Sequence, residues 1–416
     1  MSLVSGKTSS ARRLVLAMCL AEMLSMVGIF AFPTLLPRFF EIWRLTNTEA
    51  GWINGIYFAG YTVAVPVLGS LTDRIDARRI YLIFAGVGIV SALGFAWLAD
   101  GFWTALVFRA LAGLGLAGTF IPGLKALVDR LDGPAQTRGV SFYTATFGLG
   151  TSLSFFATGQ IDAWLGWRWA FAVGALGSAG ALILAMLALK PHPPVAENRA
   201  APKLLDFRPV FRNRQTMAYI LAYVVHMWEL FAFRSWMVAF LTFSLTLQPE
   251  QGNHLAPASV AALVALIAMW ASVGGAELAL RYGRRRTLTL IMGSSTIFAF
   301  GIGFSAELPY FVVVLLLILY GLLVQGDSAA LYAGVLETSA PGQRGTSLAV
   351  QSLLGFASAF IGPIVIGIVL DATGSGQTIG SWVAAFIAMG AVVAAGPIFL
   401  AAVSDRTRWA TDSRPT

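Results

Sequence analysis

Charge is scarce in this chain. Only 12% of its 416 residues are Asp, Glu, Lys or Arg, against roughly 25% in a soluble domain, too few to coat a soluble globule of this length. Cysteine is scarcer still: Cys19 stands alone, so no disulfide can close within the chain. The three histidines, His192, His226 and His254, lie in different regions and do not make a ligand cluster for a metal. No Walker loop and no nucleophile elbow occurs. Nucleotide-driven work and hydrolytic catalysis are therefore not expected, and no catalytic residue, metal or cofactor is assigned. A cleaved signal peptide is not expected either. The apolar stretch behind Lys7, Arg12 and Arg13 runs from Leu14 to about Leu36, too long for a signal h-region and without a clear cleavage site.

What the chain has is apolar length. It is 57% hydrophobic with a mean hydropathy of +0.75, and its apolar runs reach the roughly 20 residues that carry a helix across the hydrocarbon core. In lipid every backbone amide must be paired internally, so such runs are helices. Twelve spans are predicted, at 14–37, 50–71, 80–99, 103–128, 140–161, 169–189, 216–244, 257–280, 287–306, 309–335, 345–370 and 379–403. The one long polar segment divides them six and six. The expected organisation is a tail at 1–13, a six-helix bundle at 14–189, a linker at 190–214, a second bundle at 215–404 and a tail at 405–416. The linker is expected to carry a short interfacial helix around Leu204–Phe211.

Lys and Arg set the orientation. With the N-terminus in the cytoplasm, 23 of the 28 basic residues fall in cytoplasmic segments, Arg38, Arg44 and Arg168 fall opposite, and Arg109 and Arg234 fall within spans. The positive-inside rule then puts both termini in the cytoplasm of a multi-pass protein in a bacterial-type inner membrane. The same bias explains the net charge of +8 without nucleic acid as a partner.

The two halves repeat. Thr72-Asp73-Arg74-Ile75-Asp76-Ala77-Arg78-Arg79 aligns with Ala279-Leu280-Arg281-Tyr282-Gly283-Arg284-Arg285-Arg286 at an offset of 207, and Pro134 and Gln136 meet Pro341 and Gln343 at the same offset. Parallel six-helix repeats are a known way of building secondary transporters, with the substrate site at mid-membrane between them.

At these loops the chain resembles the major facilitator superfamily. The stretch from Gly69 through Asp73, Arg74, Arg78 and Arg79 matches the family's loop motif between helices 2 and 3, with Asp76 where a second glycine is usual. Arg109-Ala110-Leu111-Ala112-Gly113-Leu114-Gly115 matches its helix 4 motif, and Gly166-Trp167-Arg168-Trp169 is a further familiar stretch. The resemblance covers nearly the whole chain. It implies an all-α membrane fold of twelve helices in two pseudo-symmetric bundles. It also implies secondary transport, and a cytoplasmic latch formed by Gly69, Asp73, Arg74, Arg78 and Arg130. Proton-coupled drug exporters of the superfamily carry a Gly-Pro pair in helix 5. Here that helix has none, and Gly362-Pro363 sits in helix 11 instead, which weighs against a drug antiporter.

Ionisable residues at membrane depth are costly and mark candidate sites. Glu22 and Glu229 stand one repeat apart, in the first helix of each half. His226 lies three residues before Glu229 and shares its helix face, a pairing suited to a proton relay. Glu22, His226, Glu229 and Asp327 are the candidates for proton coupling. A structural reading stays open for each, as internal pairing within its own bundle. Arg109, Arg234, Tyr57, Tyr61 and Trp228 are the candidates for substrate binding, the arginines because guanidinium grips carboxylates and phosphates. Arg234 can equally sit near the outer mouth and snorkel.

The expectation is a monomeric secondary transporter in contact with lipid that takes up a small organic or inorganic anion with protons. Proton-coupled efflux of drugs or metabolites is the alternative within transport. A non-transporting receptor or assembly factor on the same scaffold is the alternative outside it.

Overall fold

In the computed structural model the described residues are 2–72, 74–192, 207–248 and 254–401. Among them there is no strand. The described residues are almost entirely helical, as lipid requires of backbone that cannot hydrogen-bond to water. Nine helices among the described residues are long and apolar enough to cross a membrane. The first span and the second and fifth spans complete the twelve. The second and fifth lie along the seam between the halves.

The first span is broken into α1 (Ser2–Ser25), α2 (Ala31–Thr34) and α3 (Leu36–Trp43). The rest of the first half is α4 (Asn47–Leu71), α5 (Ala77–Leu98), α6 (Phe102–Val128), α7 (Gly133–Leu165) and α8 (Trp167–Ala188). A short helix, α9 (Arg208–Arg212), precedes the second half. That half comprises α10 (Arg214–Thr246), α11 (Pro257–Tyr282) and α12 (Arg284–Ile302) with a 3-10 turn, then α13 (Tyr310–Gly326), α14 (Ser328–Thr338), α15 (Arg344–Ala372), α16 (Ile379–Val393) and α17 (Ala395–Ala401). The tenth span is α13 and α14, interrupted at Asp327.

The halves meet along two seams, α4 against α15 and α7 against α11. Glycine makes both approaches possible. A Cβ on Gly51 would lie 2.5 Å from the Pro363 carbonyl oxygen, and one on Gly367 would lie 2.3 Å from that of Asn47. On the other seam Ser152 donates to the Ala262 carbonyl at 2.8 Å. At the end of the molecule away from the basic loops, Asp371 at the end of α15 caps α4 from across the seam. It accepts from the amides of Asn47 (3.0 Å) and Thr48 (2.8 Å) and from both their side chains. The negative end-group answers the positive end of the α4 dipole.

The loop where Asp76 replaces a glycine is made differently from its repeat mate. Gly283, one repeat later, adopts φ 92 ahead of α12. Asp76 keeps φ −50 and caps α5, accepting from the Arg78 amide at 2.9 Å, as an Asx N-cap does. Asp76 also accepts from the His192 amide at 2.8 Å and faces Arg130 at 3.5 Å. Arg130 in turn donates to the Lys190 carbonyl at 2.7 Å. Of the expected latch residues, then, Arg130 ties this loop to the start of the linker within its own half. Arg78 reaches the Met186 carbonyl at 3.5 Å, also within the half. Arg74 is exposed, Gly69 lies in the last turn of α4, and Asp73 lies outside the described residues.

Candidate functional site

The break in the first span sets up the site. Residues 26–30 leave the helix, so their backbone groups lose intrahelical partners and need others. Ser154 of α7 supplies two, donating to the Val27 carbonyl (2.8 Å) and accepting from the Phe30 amide (3.0 Å). Arg109 of α6 supplies a third, donating Nη1 to the Ile29 carbonyl at 3.1 Å. The flat face of its guanidinium lies 4.4 Å from the centre of the Tyr57 ring, a cation–π contact. The Arg109 side chain is buried, and its Nε has no partner. Arg109 thus stands inside the first half and reaches the seam through Tyr57.

Glu22 is fully buried one turn before the break. Its Oε2 accepts from the Tyr143 hydroxyl at 2.9 Å, while Oε1 has no partner. Its repeat mate Glu229 is equally buried but is held by different groups: Oε1 accepts from Ser295 and from Tyr320, each at 2.8 Å. The two glutamates share a place in the repeat and not a set of partners. Tyr320 and Ser295 were not singled out in the sequence, because nothing in local spacing links α12 or α13 to α10.

His226 turns away from Glu229. Its Nδ1 stands 2.7 Å from Asp327 Oδ1, and both side chains are buried. The approach is too misaligned for a hydrogen bond, so the contact is electrostatic. The carboxylate comes from the interruption of the tenth span, which α11 packs against: a Cβ on Gly275 would sit 1.7 Å from the Gly326 carbonyl oxygen. The second imidazole nitrogen has no partner. The expected His226–Glu229 pairing is therefore replaced by His226–Asp327.

Arg234 faces the seam. It donates Nη2 to Gln325 Oε1 at 3.1 Å and lies 5.7 Å from the rings of Phe30, in the first half, and Phe231. It is buried and does not snorkel to an interface. Around it the seam is aromatic: Phe58 meets Phe231 and Tyr61 meets Phe356, each pair 4.2 Å between ring centres across the halves. Trp228 is buried with its indole N–H unpartnered. Asn54 of α4 and Gln351 of α15 carry buried side-chain amides without partners. In the sequence they read as ordinary polar residues in helices.

The site therefore comprises two buried cations, three buried carboxylates and one imidazole around an aromatic seam. The chain is similar to known proteins in sequence and in fold. The profile of the Major Facilitator Superfamily matches residues 18–363. Protein spinster homolog 3 of Danio rerio is 27% identical over 183 residues, 43% of this chain and 36% of that protein. The chain spans about half or less of the length of the curated relatives it matches. Among solved structures, the nucleoside transporter NupG superposes with a TM-score of 0.74 at 16% identity, over 94% of this chain and 98% of that one. A bacterial homolog of the human lysosomal transporter spinster, inward-facing and occupied, superposes with a TM-score of 0.70 at 16% identity, over 93% and 94%. These likenesses in structure are likenesses of fold. The chain belongs to the major facilitator superfamily.

Proposed function

We propose that this protein is a secondary transporter in a bacterial-type inner membrane, with both termini in the cytoplasm, that takes up a small anion together with protons. The observation that carries the reading is Arg234: a buried guanidinium at the seam of the two halves, among aromatic rings, with one amide and no carboxylate as its described hydrogen-bond partner. A charge at that depth is unfavourable by a few kcal/mol unless answered. An anionic substrate answers it, and the aromatic walls of Phe30, Phe58, Tyr61 and Phe231 favour one with an organic body. Tyr57 and Trp228 complete the binding surface, with Arg109 behind Tyr57 holding its ring in place.

Coupling falls to the carboxylates. Glu229 is held by two hydroxyls, which can donate to the carboxylate or accept from the acid. It therefore has partners in both protonation states. His226 Nδ1 and Asp327 Oδ1 stand 2.7 Å apart, both buried, in the half that carries Glu229. Substrate at Arg234 and protons at these groups alter one field, and that links the two fluxes. Alternating access is rocking of one half against the other.

Reconstitution tests the reading. Liposomes loaded with an unlabelled organic anion should take up the labelled one transiently above equilibrium, and an inward proton gradient should drive net accumulation. Absence of counter-flow for organic and inorganic anions alike, with counter-flow of a neutral or cationic solute, would move the assignment to another substrate class.

A further inference from the structure

Arg109 has more donors than partners. Nη1 meets a carbonyl and one face meets a tyrosine ring, neither of which carries charge, and Nε is buried with no partner. Among the described residues no carboxylate pairs with it. Glu22, in the same half, is held by Tyr143.

The same arginine lines a cavity of about 50 Å³. That is room for about four waters, or for one small anion with a water beside it. Glycines make the space. Gly28, Gly88, Gly115 and Gly174 lie in its wall, with the hydroxyl residues Ser25 and Ser178 among them. The helices approach so closely there that a Cβ on Gly28 would lie 3.4 Å from the Cα of Gly174, and one on Gly115 would lie 3.2 Å from the Cα of Gly88. Every lining residue falls between Ser25 and Ser178, so the whole wall belongs to the first half. Because no residue of the second half takes part in the wall, the chamber is the same whichever way the halves are rocked.

We propose that the first half holds a resident inorganic anion of halide size, bound to Arg109 in the chamber between α1, α5, α6 and α8. The anion neutralises a cation that the helix break needs for its Ile29 carbonyl, and the Ser178 hydroxyl supplies a neutral donor, the Ser25 hydroxyl being given to the Glu22 carbonyl at 2.8 Å. The proposal rests on the transport reading only in calling the anion resident rather than cargo.

Bromide is the probe. Crystals of the full chain grown in lipid with sodium bromide, measured at the bromine edge, should give an anomalous peak in this chamber within hydrogen-bonding reach of Arg109. Ordered bromide elsewhere with only water in the chamber would overturn the proposal. In solution, sodium bromide should raise the Tm relative to sodium gluconate at equal ionic strength. Arg109→Gln should weaken that response about tenfold or more, because a charge-assisted contact is lost. Ala92→Leu, which fills the chamber from α5 and leaves the arginine in place, should abolish it and keeps the test alive if Arg109→Gln does not fold. A bromide-insensitive wild-type Tm, or an undiminished response in Ala92→Leu, would also overturn it. Substrate counter-flow is read separately in halide-free liposomes, so failure of the anion site and failure of transport are told apart.

Discussion

At the scale of single residues the account turns on which buried group holds a proton and which holds an anion. Glu229→Gln keeps a side chain that Ser295 and Tyr320 can still hold, but it removes the titratable acid. The expected outcome is loss of proton-driven accumulation with exchange retained, read by pH-jump uptake against counter-flow; full accumulation would move the coupling role to Glu22 or Asp327. Arg234→Ala removes the proposed partner of the anion at the seam. It should weaken substrate binding about tenfold or more, since hydrogen bonds to charged groups contribute about 1.5–3 kcal/mol. Tight binding by that variant, measured by calorimetry, would point to Arg109 or to an uncharged substrate. The charged members of this candidate site were legible in the sequence. Intramembrane charge is rare enough that Glu22, Arg109, His226, Glu229, Arg234 and Asp327 could be picked out one by one. Their pairing was not legible. Helical spacing joined His226 to Glu229, whereas the fold sends His226 to Asp327, about a hundred residues away, by interrupting the tenth span beside it.

At the scale of elements, glycines and caps decide how closely helices approach and where they stop. A Cβ on Gly113 would lie 1.9 Å from the Tyr57 carbonyl oxygen. Gly113→Ala must therefore push α4 from α6 and carry Tyr57 off Arg109. The variant is expected to lose substrate binding while remaining helical by circular dichroism; unchanged binding would mean that the α4–α6 spacing does not set the site. The motif around Gly113 was readable in the sequence, and so was its packing role, because small residues let helices approach in lipid. Asp76 is a different case. The missing glycine suggested a turn made some other way, and the answer is an aspartate cap that also receives the His192 amide. Asp76→Ala should lower stability by about 1 kcal/mol, visible as a drop in Tm. The Asp371 cap on α4 could not be foreseen. Its partners lie more than three hundred residues away, and an aspartate at a helix end reads as solvent-facing.

At the scale of the molecule, the 207-residue repeat and the basic-residue bias together predict two bundles with both ends on one face, and the fold has two six-helix halves meeting at α4–α15 and α7–α11. Asp371 is the polar clasp across the first seam at the end away from the basic loops. Asp371→Ala should shift the population away from the closed arrangement at that end by about 1–2 kcal/mol, modest because the carboxylate is part-exposed. Distances between spin labels on the facing ends of α4 and α15 should lengthen; an unchanged distribution would show that glycine packing alone holds the seam. The central claim is that an anion crosses between these halves in exchange with its own kind and is driven by protons. The most direct measurement is counter-flow in proteoliposomes against a panel of labelled organic anions, repeated with an inward proton gradient. The account predicts a transient overshoot for at least one anion, and accumulation when the gradient is applied. No overshoot for any anion, in liposomes where the protein is folded and a neutral or cationic solute does overshoot, would contradict it.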